Sequence, residues 1–362
     1  PWRRESDPAA KILAGQKAFR KENLSVPALA ECRDLNRLSW TALRNWRDCP
    51  YRFLLERGFV LRKEEEVREE FGRRDSGNLI HEIMRDFLAP EGPGFRALAE
   101  GKTEQAATLL ETAAYEKFRP DGQILPGRAL WLGRFLRWIP GLVNYEMGRF
   151  QTWRPLLLEE GFSLPLPELT AWMAEQLDQS DVAGEVPTLS TDQEAIVLTG
   201  VIDRMDVAVG AGTLAVIDYK TGKVPPVKQV TDLREMQILL YSLAVEAGAL
   251  ELPGPDLQVG QAFYYAIGEE AVGLAGKVHF EGDRQFLFDA ADQLVEMAQA
   301  AASAAGPFPL IPEERHGLGP ANLPCTHCSF RGSCRLEERA GLPPATEVKL
   351  DKLVSRKEGG LF

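Results

Sequence analysis

The amino-acid sequence predicts an α/β protein whose core runs helix, three strands, helix, strand, with a large helical insertion after the first helix. Three observations predict it. Leu79, Ile80, Ile83, Met84, Phe87 and Leu88 fall at helical spacing and define a helix over 77–88. Beyond residue 156 the pattern changes to runs rich in Val, Ile, Phe and Tyr, which predict strands over 160–166, 195–209 and 213–221. A helix over 231–247, with Leu233, Met236, Leu240, Tyr241 and Leu243 as apolar positions, and a strand over 257–267 complete the series.

The remaining elements follow in chain order. Residues 1–38 are polar and helix-compatible, an N-terminal extension or linker. From Ser39 onward Trp40, Leu43, Trp46, Tyr51, Phe53, Leu54 and Leu55 suggest helix packing, which Pro50 ends or kinks because its ring cannot sit inside a helix. The charge run at 63–70 reads as a solvated helix face. Residues 96–156 are helix-compatible throughout, with a kink expected at Pro140. Gly210-Ala211-Gly212 joins the second and third strands as a tight hairpin. A last helix over 284–305 leads into a cysteine-rich segment. The expected domain is therefore 39–340, followed by a tail at 341–362.

Composition narrows the class. The chain of 362 residues is long enough to bury a full core. No apolar run approaches the length needed to span a bilayer, and no signal peptide opens the sequence, so a cytoplasmic location is expected. Pro1 rather than Met stands first, which fits a piece of a longer polypeptide. Five cysteines in so long a chain exclude a disulfide scaffold. The net charge of −11 argues mildly against a nucleic-acid partner, but the charge is uneven. Between Arg119 and Arg154 stand six arginines and only two acids, Asp121 and Glu146. Trp131, Phe135, Trp138, Tyr145, Phe150 and Trp153 share that window. Arg134 and Arg137 are candidates for holding DNA phosphates while an exposed aromatic stacks on a base. Against this, Trp131, Phe135, Leu142 and Phe150 suit ordinary helix packing.

The chemistry concentrates near the end of the third strand. In Ile217-Asp218-Tyr219-Lys220-Thr221-Gly222, alternation puts Asp218 and Lys220 on one face. The hairpin makes Gly200-Val201-Ile202-Asp203-Arg204-Met205-Asp206 the antiparallel neighbour, so Asp203 can approach Asp218. Two converging carboxylates repel each other and call for a divalent ion. Oxygen ligands point to Mg²⁺ or Mn²⁺, which can lower the pKa of water and offset charge on a phosphate. Arg204 is expected to orient a carboxylate or contact phosphate. An Asp-x-Lys pair alone is usually just solvated. Two further pieces raise its weight: His81, one helical turn after Gly77, and Gln237 with Tyr241, also one turn apart.

Gly77-x-x-x-His81, Gly200-x-x-Asp203-Arg204-x-Asp206, Asp218-Tyr219-Lys220-Thr221-Gly222 and Gln237-x-x-x-Tyr241 resemble, in order and spacing, the motifs of RecB-like PD-(D/E)XK nucleases. The resemblance implies a restriction-endonuclease-like core. It also implies that His81, Asp203, Asp218 and the backbone carbonyl of Tyr219 bind metal, and that Lys220 positions the attacking water. Gln237 and Tyr241 would support the site or contact DNA. Ile202 stands where the family name would have proline, a departure that RecB-like members share.

Cys325, Cys328 and Cys334 give C-x2-C-x5-C, and Cys49, followed by Pro50, offers a fourth thiolate from upstream. Thiolates bind zinc and iron–sulfur clusters alike, so spacing leaves both open, and His327 is a further possible zinc ligand. Cys32 is left over. The arrangement is similar to the [4Fe–4S] site of AddB-type, CRISPR-adaptation and exonuclease V-like nucleases, which implies an iron–sulfur staple closing 49 to 325–334. Size and insertion most resemble the C-terminal nuclease domain of AddB helicase–nuclease subunits. That likeness implies an exonuclease acting at DNA ends in recombinational repair, beside a helicase partner; no Walker A sequence GxxxxGK[ST] is present. The competing expectations are a DNA-end binding or scaffolding module, which the complete acidic set argues against, and a zinc-ribbon interaction protein, which leaves that set idle.

Overall fold

The computed structural model describes residues 35–61, 71–124, 126–179, 181–254, 257–268, 272–274, 280–302, 325, 328–330 and 334. The expectations for most of the 1–38 extension, Cys32, the 63–70 charge run, His327 and the 341–362 tail lie outside the described residues. Two compact units emerge. One comprises Asn36–Trp40 and Glu65–Ala298; the other draws on Thr41–Glu64 and the segment from Gln299 onward.

The larger unit is built on a six-stranded sheet: β1 (Arg37–Ser39), β2 (Trp153–Pro165), β3 (Val197–Ala208), β4 (Thr213–Lys220), β5 (Gln258–Ile267) and β6 (Val272–Leu274). The order is β1-β3-β4-β5-β6, with β2 paired to the other edge of β3. β3 and β4 are antiparallel, with Val207 opposite Leu214, and the expected turn between them carries Gly210 at φ +77°. β4 and β5 are parallel, which requires a crossover, and α9 (Gln237–Glu246) supplies it.

Numbering the helices in chain order, α1 (Trp40–Asp48) and α2 (Pro50–Phe53) belong mainly to the smaller unit. Helix α3 (Arg73–Leu88) buries Ile80, Ile83, Met84, Phe87 and Leu88, the stripe its sequence carries. The insertion is α4 (Pro93–Ala99), α5 (Thr103–Phe118) and α6 (Pro126–Arg149). Gly94 lets α4 touch α3 closely, since a Cβ there would stand 2.2 Å from the Phe87 carbonyl oxygen. Helix α5 buries Ala106, Leu110, Ala114 and Phe118, every fourth residue, as one ridge. Pro140 lies inside α6 without ending it. Behind the sheet, Ala215, Ile217 and Tyr219 of β4 and Phe263, Tyr265 and Ile267 of β5 pack with Phe135, Ile139, Leu142 and Val143 of α6. The intervening residues of β4 and β5 therefore face the other side, toward the site.

Several expectations are corrected. Residues 153–156 are strand, not helix, because β2 begins at Trp153 and pairs with β3 along almost its whole length. The helix expected over 231–247 is two, α8 (Val227–Thr231) and α9, broken where Leu233 takes φ +51°. Helix α7 (Leu166–Gln179) and strands β1 and β6 are additions to the expected series. The last helix, α10, spans Arg284–Ala302. No helix among the described residues is long and apolar enough to cross a membrane.

Candidate active site

The site forms where the sheet forks. Pairing of β3 with β4 runs from Val207–Leu214 to Arg204–Ile217 and stops there. Farther along the same edge, β3 pairs in parallel with β1 at Val197–Thr199. Extending the β3–β4 register by one step would set Asp203 opposite Asp218, which is where the strands part. The Tyr219 N–H instead donates to Asp203 Oδ2 at 2.7 Å. A carboxylate thus occupies the place of a ladder carbonyl and is fixed by the backbone that bears Asp218 and Lys220.

Three ligand-type atoms converge on this fork. His81 Nδ1 of α3 lies 3.1 Å from Glu159 Oε1 of β2 and 3.6 Å from Asp203 Oδ2. Among the described residues, His81, Glu159 and Asp203 form the one group of metal-binding atoms all within 4.8 Å of each other. Glu159 escaped the sequence reading, which starts this strand one residue later. It faces Asp203 across the β2–β3 ladder, between the pairs Leu158–Arg204 and Glu160–Ile202. Its φ of +52° is rare for a residue with a side chain and strained by about 1–3 kcal/mol. An acidic pair, Glu159-Glu160, in an otherwise apolar run is the signal that could have found it.

Electrostatics marks the trio as short of positive charge. Burial, and then the charge of Asp218, push the Asp203 carboxyl up to about 7. Burial also raises Asp218, against the opposing pull of Lys220 and His81. For His81, burial disfavours the charged form, but the Glu159 hydrogen bond and the Asp203 charge outweigh it and raise the pKa. Two carboxylates that repel each other and an imidazole, all partly desolvated, fit a hard divalent cation. Asp218 is 1% exposed and pairs with the Lys220 ammonium, so it stands beside the trio.

Lys220 is held from three sides. Besides Asp218, its Nζ donates to Gln237 Oε1 at 3.1 Å and lies 5.1 Å from the centroid of the Tyr264 ring. The Gln237 side-chain amide donates in turn to the Tyr241 hydroxyl oxygen at 2.8 Å. The Tyr241 ring meets Phe162 edge-to-face. Gly200 leaves them room: a Cβ there would stand 2.7 Å from the Phe162 ring and 3.0 Å from Tyr241. Gly77 does the same for α3, where a Cβ would lie 3.1 Å from Thr221 Oγ1. The four sequence motifs therefore interlock through their glycines as well as their polar groups.

Arg204 corrects an expectation. It is wholly buried and cannot reach DNA. It does orient carboxylates, those of Glu146 and Asp206. Its Nη1 and Nη2 donate to the two Glu146 oxygens at 2.8 and 2.9 Å, and Nε and Nη2 to Asp206 at 2.6 and 3.0 Å. Arg149 Nε adds a bond to Asp206 at 2.5 Å. The arginine-rich stretch is thus partly internal. Arg149 is buried, and Arg154 donates to the carbonyls of Phe150 and Trp153. Phe135, Leu142 and Phe150 are core, while Arg134 lies over the Trp131 ring and Arg137 is exposed on α6.

In the smaller unit, Cys49 is extended (φ −162°, ψ 94°) and caps α2, its Sγ accepting the Arg52 N–H at 3.4 Å. Burial, reinforced by the charges of Cys325, Cys328 and Cys334, pushes the Cys49 thiol up to about 12 despite that bond. None of the four is in a disulfide. Among the described residues they do not form a metal-ligand group as tight as the His81 trio.

A forked sheet presenting acids and an imidazole beside a clamped lysine defines a metal-using hydrolase. The family model described as the PD-(D/E)XK nuclease superfamily matches residues 37–335, and the chain belongs to that superfamily, a class of nucleases that use divalent metals. No curated protein matches the chain significantly.

Proposed function

We propose that the chain is a Mg²⁺- or Mn²⁺-dependent DNA exonuclease of the cytoplasm, acting at DNA ends in recombinational double-strand break repair beside an AddAB-type helicase subunit. The convergence of His81, Glu159 and Asp203 next to Lys220 carries this reading. A cation held by those three would lower the pKa of water and offset phosphate charge. The chain's own groups do the rest. Asp203 and Glu159 supply hard oxygen ligands, and the Tyr219 N–H keeps Asp203 aimed at the fork. Lys220, fixed by Asp218 and Gln237, would use its ammonium to position the nucleophilic water or a phosphate oxygen. Tyr241 holds Gln237 and so the lysine's amide partner. Positioning of this kind, more than an elaborate base, is what phosphodiester hydrolysis demands. Arg134 and Arg137 on α6 would hold flanking phosphates.

Digestion of end-labelled single- and double-stranded DNA with Mg²⁺ or Mn²⁺ tests the activity. Metal-dependent release of end nucleotides, abolished by Asp203→Ala, is expected; DNA bound but uncut under every metal would leave only an end-binding module.

We further propose that Cys49, Cys325, Cys328 and Cys334 hold a [4Fe–4S] cluster. Supporting this are the buried Cys49 thiol, whose pKa the charges of Cys325, Cys328 and Cys334 raise further, and the Arg52 N–H donated to Cys49 Sγ, since cationic iron would relieve the repulsion that four thiolates create. Anaerobically purified protein should be brown and contain about four irons per chain. A colourless, zinc-loaded and active preparation would sink the cluster.

A further inference from the structure

Residue Glu146 belongs to the insertion, far from any recognised motif, yet it is 0% exposed and binds Arg204 through both oxygens. Arg204 and Arg149 face Glu146 and Asp206, two cations against two carboxylates, a buried cluster of zero net charge. Burial alone would raise the Asp206 carboxyl, but the two guanidinium groups hold it below its ordinary value. The cluster touches the site through one residue. Arg204 Nη1 also lies 3.4 Å from the Tyr219 hydroxyl. The Tyr219 ring stands edge-to-face with His81, centroids 5.5 Å apart, and with Tyr265 at 5.4 Å. Its N–H binds Asp203.

We propose that Glu146 and Tyr219 are positioning residues for the metal ligands: Glu146 fixes Arg204, Arg204 and Tyr265 fix the Tyr219 ring, and Tyr219 holds His81 through the edge-to-face contact of their rings and Asp203 by its backbone. The inference rests on the metal reading above and adds a role for the insertion, which on this view braces the catalytic strands. Geometry favours such a brace. His81 comes from a helix and Asp203 from a strand, and Tyr219 touches both. Groups that orient metal ligands commonly matter by about 10–100-fold in metal affinity. Without the Glu146 fork, Asp206 still holds Nε and Nη2 of Arg204, but Nη1, the nitrogen that meets Tyr219, loses its carboxylate and with it its fixed direction.

The test uses the full chain and two readouts, one of which needs no metal. In metal-free protein the His81 ring resonances, assigned by their loss in His81→Gln, report its distance from the Tyr219 ring. Glu146→Gln should shift and broaden them and weaken Mn²⁺ binding, followed by electron paramagnetic resonance, about ten-fold. Leu294→Ala, a cavity in the buried face of α10, serves as an equally destabilised control and should leave both readouts near the parent. The double variant Glu146→Gln with Tyr219→Leu should lose no more affinity than Tyr219→Leu alone, since both act along one chain of contacts. Unmoved His81 resonances with Mn²⁺ affinity within about two-fold of the parent would overturn the proposal, as would strictly additive losses. Should Glu146→Gln not fold, Tyr219→Leu carries the same test. Should the parent bind no Mn²⁺ while the resonances still move, the metal reading fails and the brace stands.

Discussion

Asp203 and Arg204 are neighbours in β3, both charged and both buried, and they occupy opposite electrostatic worlds. Arg204 points into the insertion, where two carboxylates and a second arginine cancel its charge and Asp206 stays readily ionised. Asp203 points into the fork, where Glu159 and Asp218 crowd it and its proton is held up to about 7. One face of the strand is satisfied by protein alone; the other crowds carboxylates that the protein leaves under-neutralised. The difference teaches where function lies. A fully paired buried network braces, whereas an under-neutralised one binds.

The predictions probe that contrast. The largest effect is expected from Asp203→Ala or Asp218→Ala, which should cut metal-dependent cleavage by on the order of 10³-fold or more, measured in single turnover. For Asp203→Ala, metal-free thermal stability should hold or rise, because its repulsion with Asp218 and Glu159 is removed. A marked loss of folding would place Asp203 with the brace instead. Arg204→Met should do the reverse to stability, costing about 3–5 kcal/mol in urea unfolding, since it strands two buried carboxylates with only Arg149. A cost of only about 0–1 kcal/mol, no more than an exposed ion pair contributes, would show the network to be dispensable.

The third prediction concerns pH. Asp203 has a folded pKa of about 7, above its unfolded value near 3.9. The folded state therefore binds this proton more tightly. Its contribution to stability is full below about pH 4 and is lost as pH rises through about 7. Protons and metal compete for the same carboxylate, so Mg²⁺ should stabilise the protein more at about pH 8 than at about pH 6 in thermal melts. Equal stabilisation at both would contradict it. The smallest effect is expected at α6: Arg134→Ala with Arg137→Ala should weaken DNA binding modestly and lower the salt slope by about 1–2, roughly one unit for each phosphate no longer neutralised. An unchanged slope would remove α6 from the DNA path.

Much of this was legible in the chain. The apolar stripe of α3, the Gly210 hairpin and the β-rich runs at β3, β4 and β5 carry short-range patterns that local physics enforces. His81, Asp203, Asp218, Lys220, Gln237 and Tyr241 could be named from the chain because each sits at a fixed offset within one helix or strand, and the structure brings His81 to Asp203, Lys220 to Asp218 and Gln237, and Gln237 to Tyr241. What failed depended on partners distant in sequence. Residues 153–156 have helix-compatible side chains, yet pairing with β3 decides their conformation. Leu233 suits a helix and instead marks its break. Arg204 could be read either as orienting a carboxylate or as contacting phosphate, and nothing nearby in sequence announces that Glu146, 58 residues earlier, will meet it.

By itself, then, the order of residues determined the class of fold, the offsets of the polar motifs and the count of thiols, since periodicity and turn chemistry act over a few residues. Only the tertiary structure decided that Glu159 joins His81 and Asp203, that Asp218 turns to Lys220, and that Arg204 faces inward. Those outcomes follow from where a sheet forks and which face of a strand a helix covers, and both are set by contacts between segments that the chain keeps far apart.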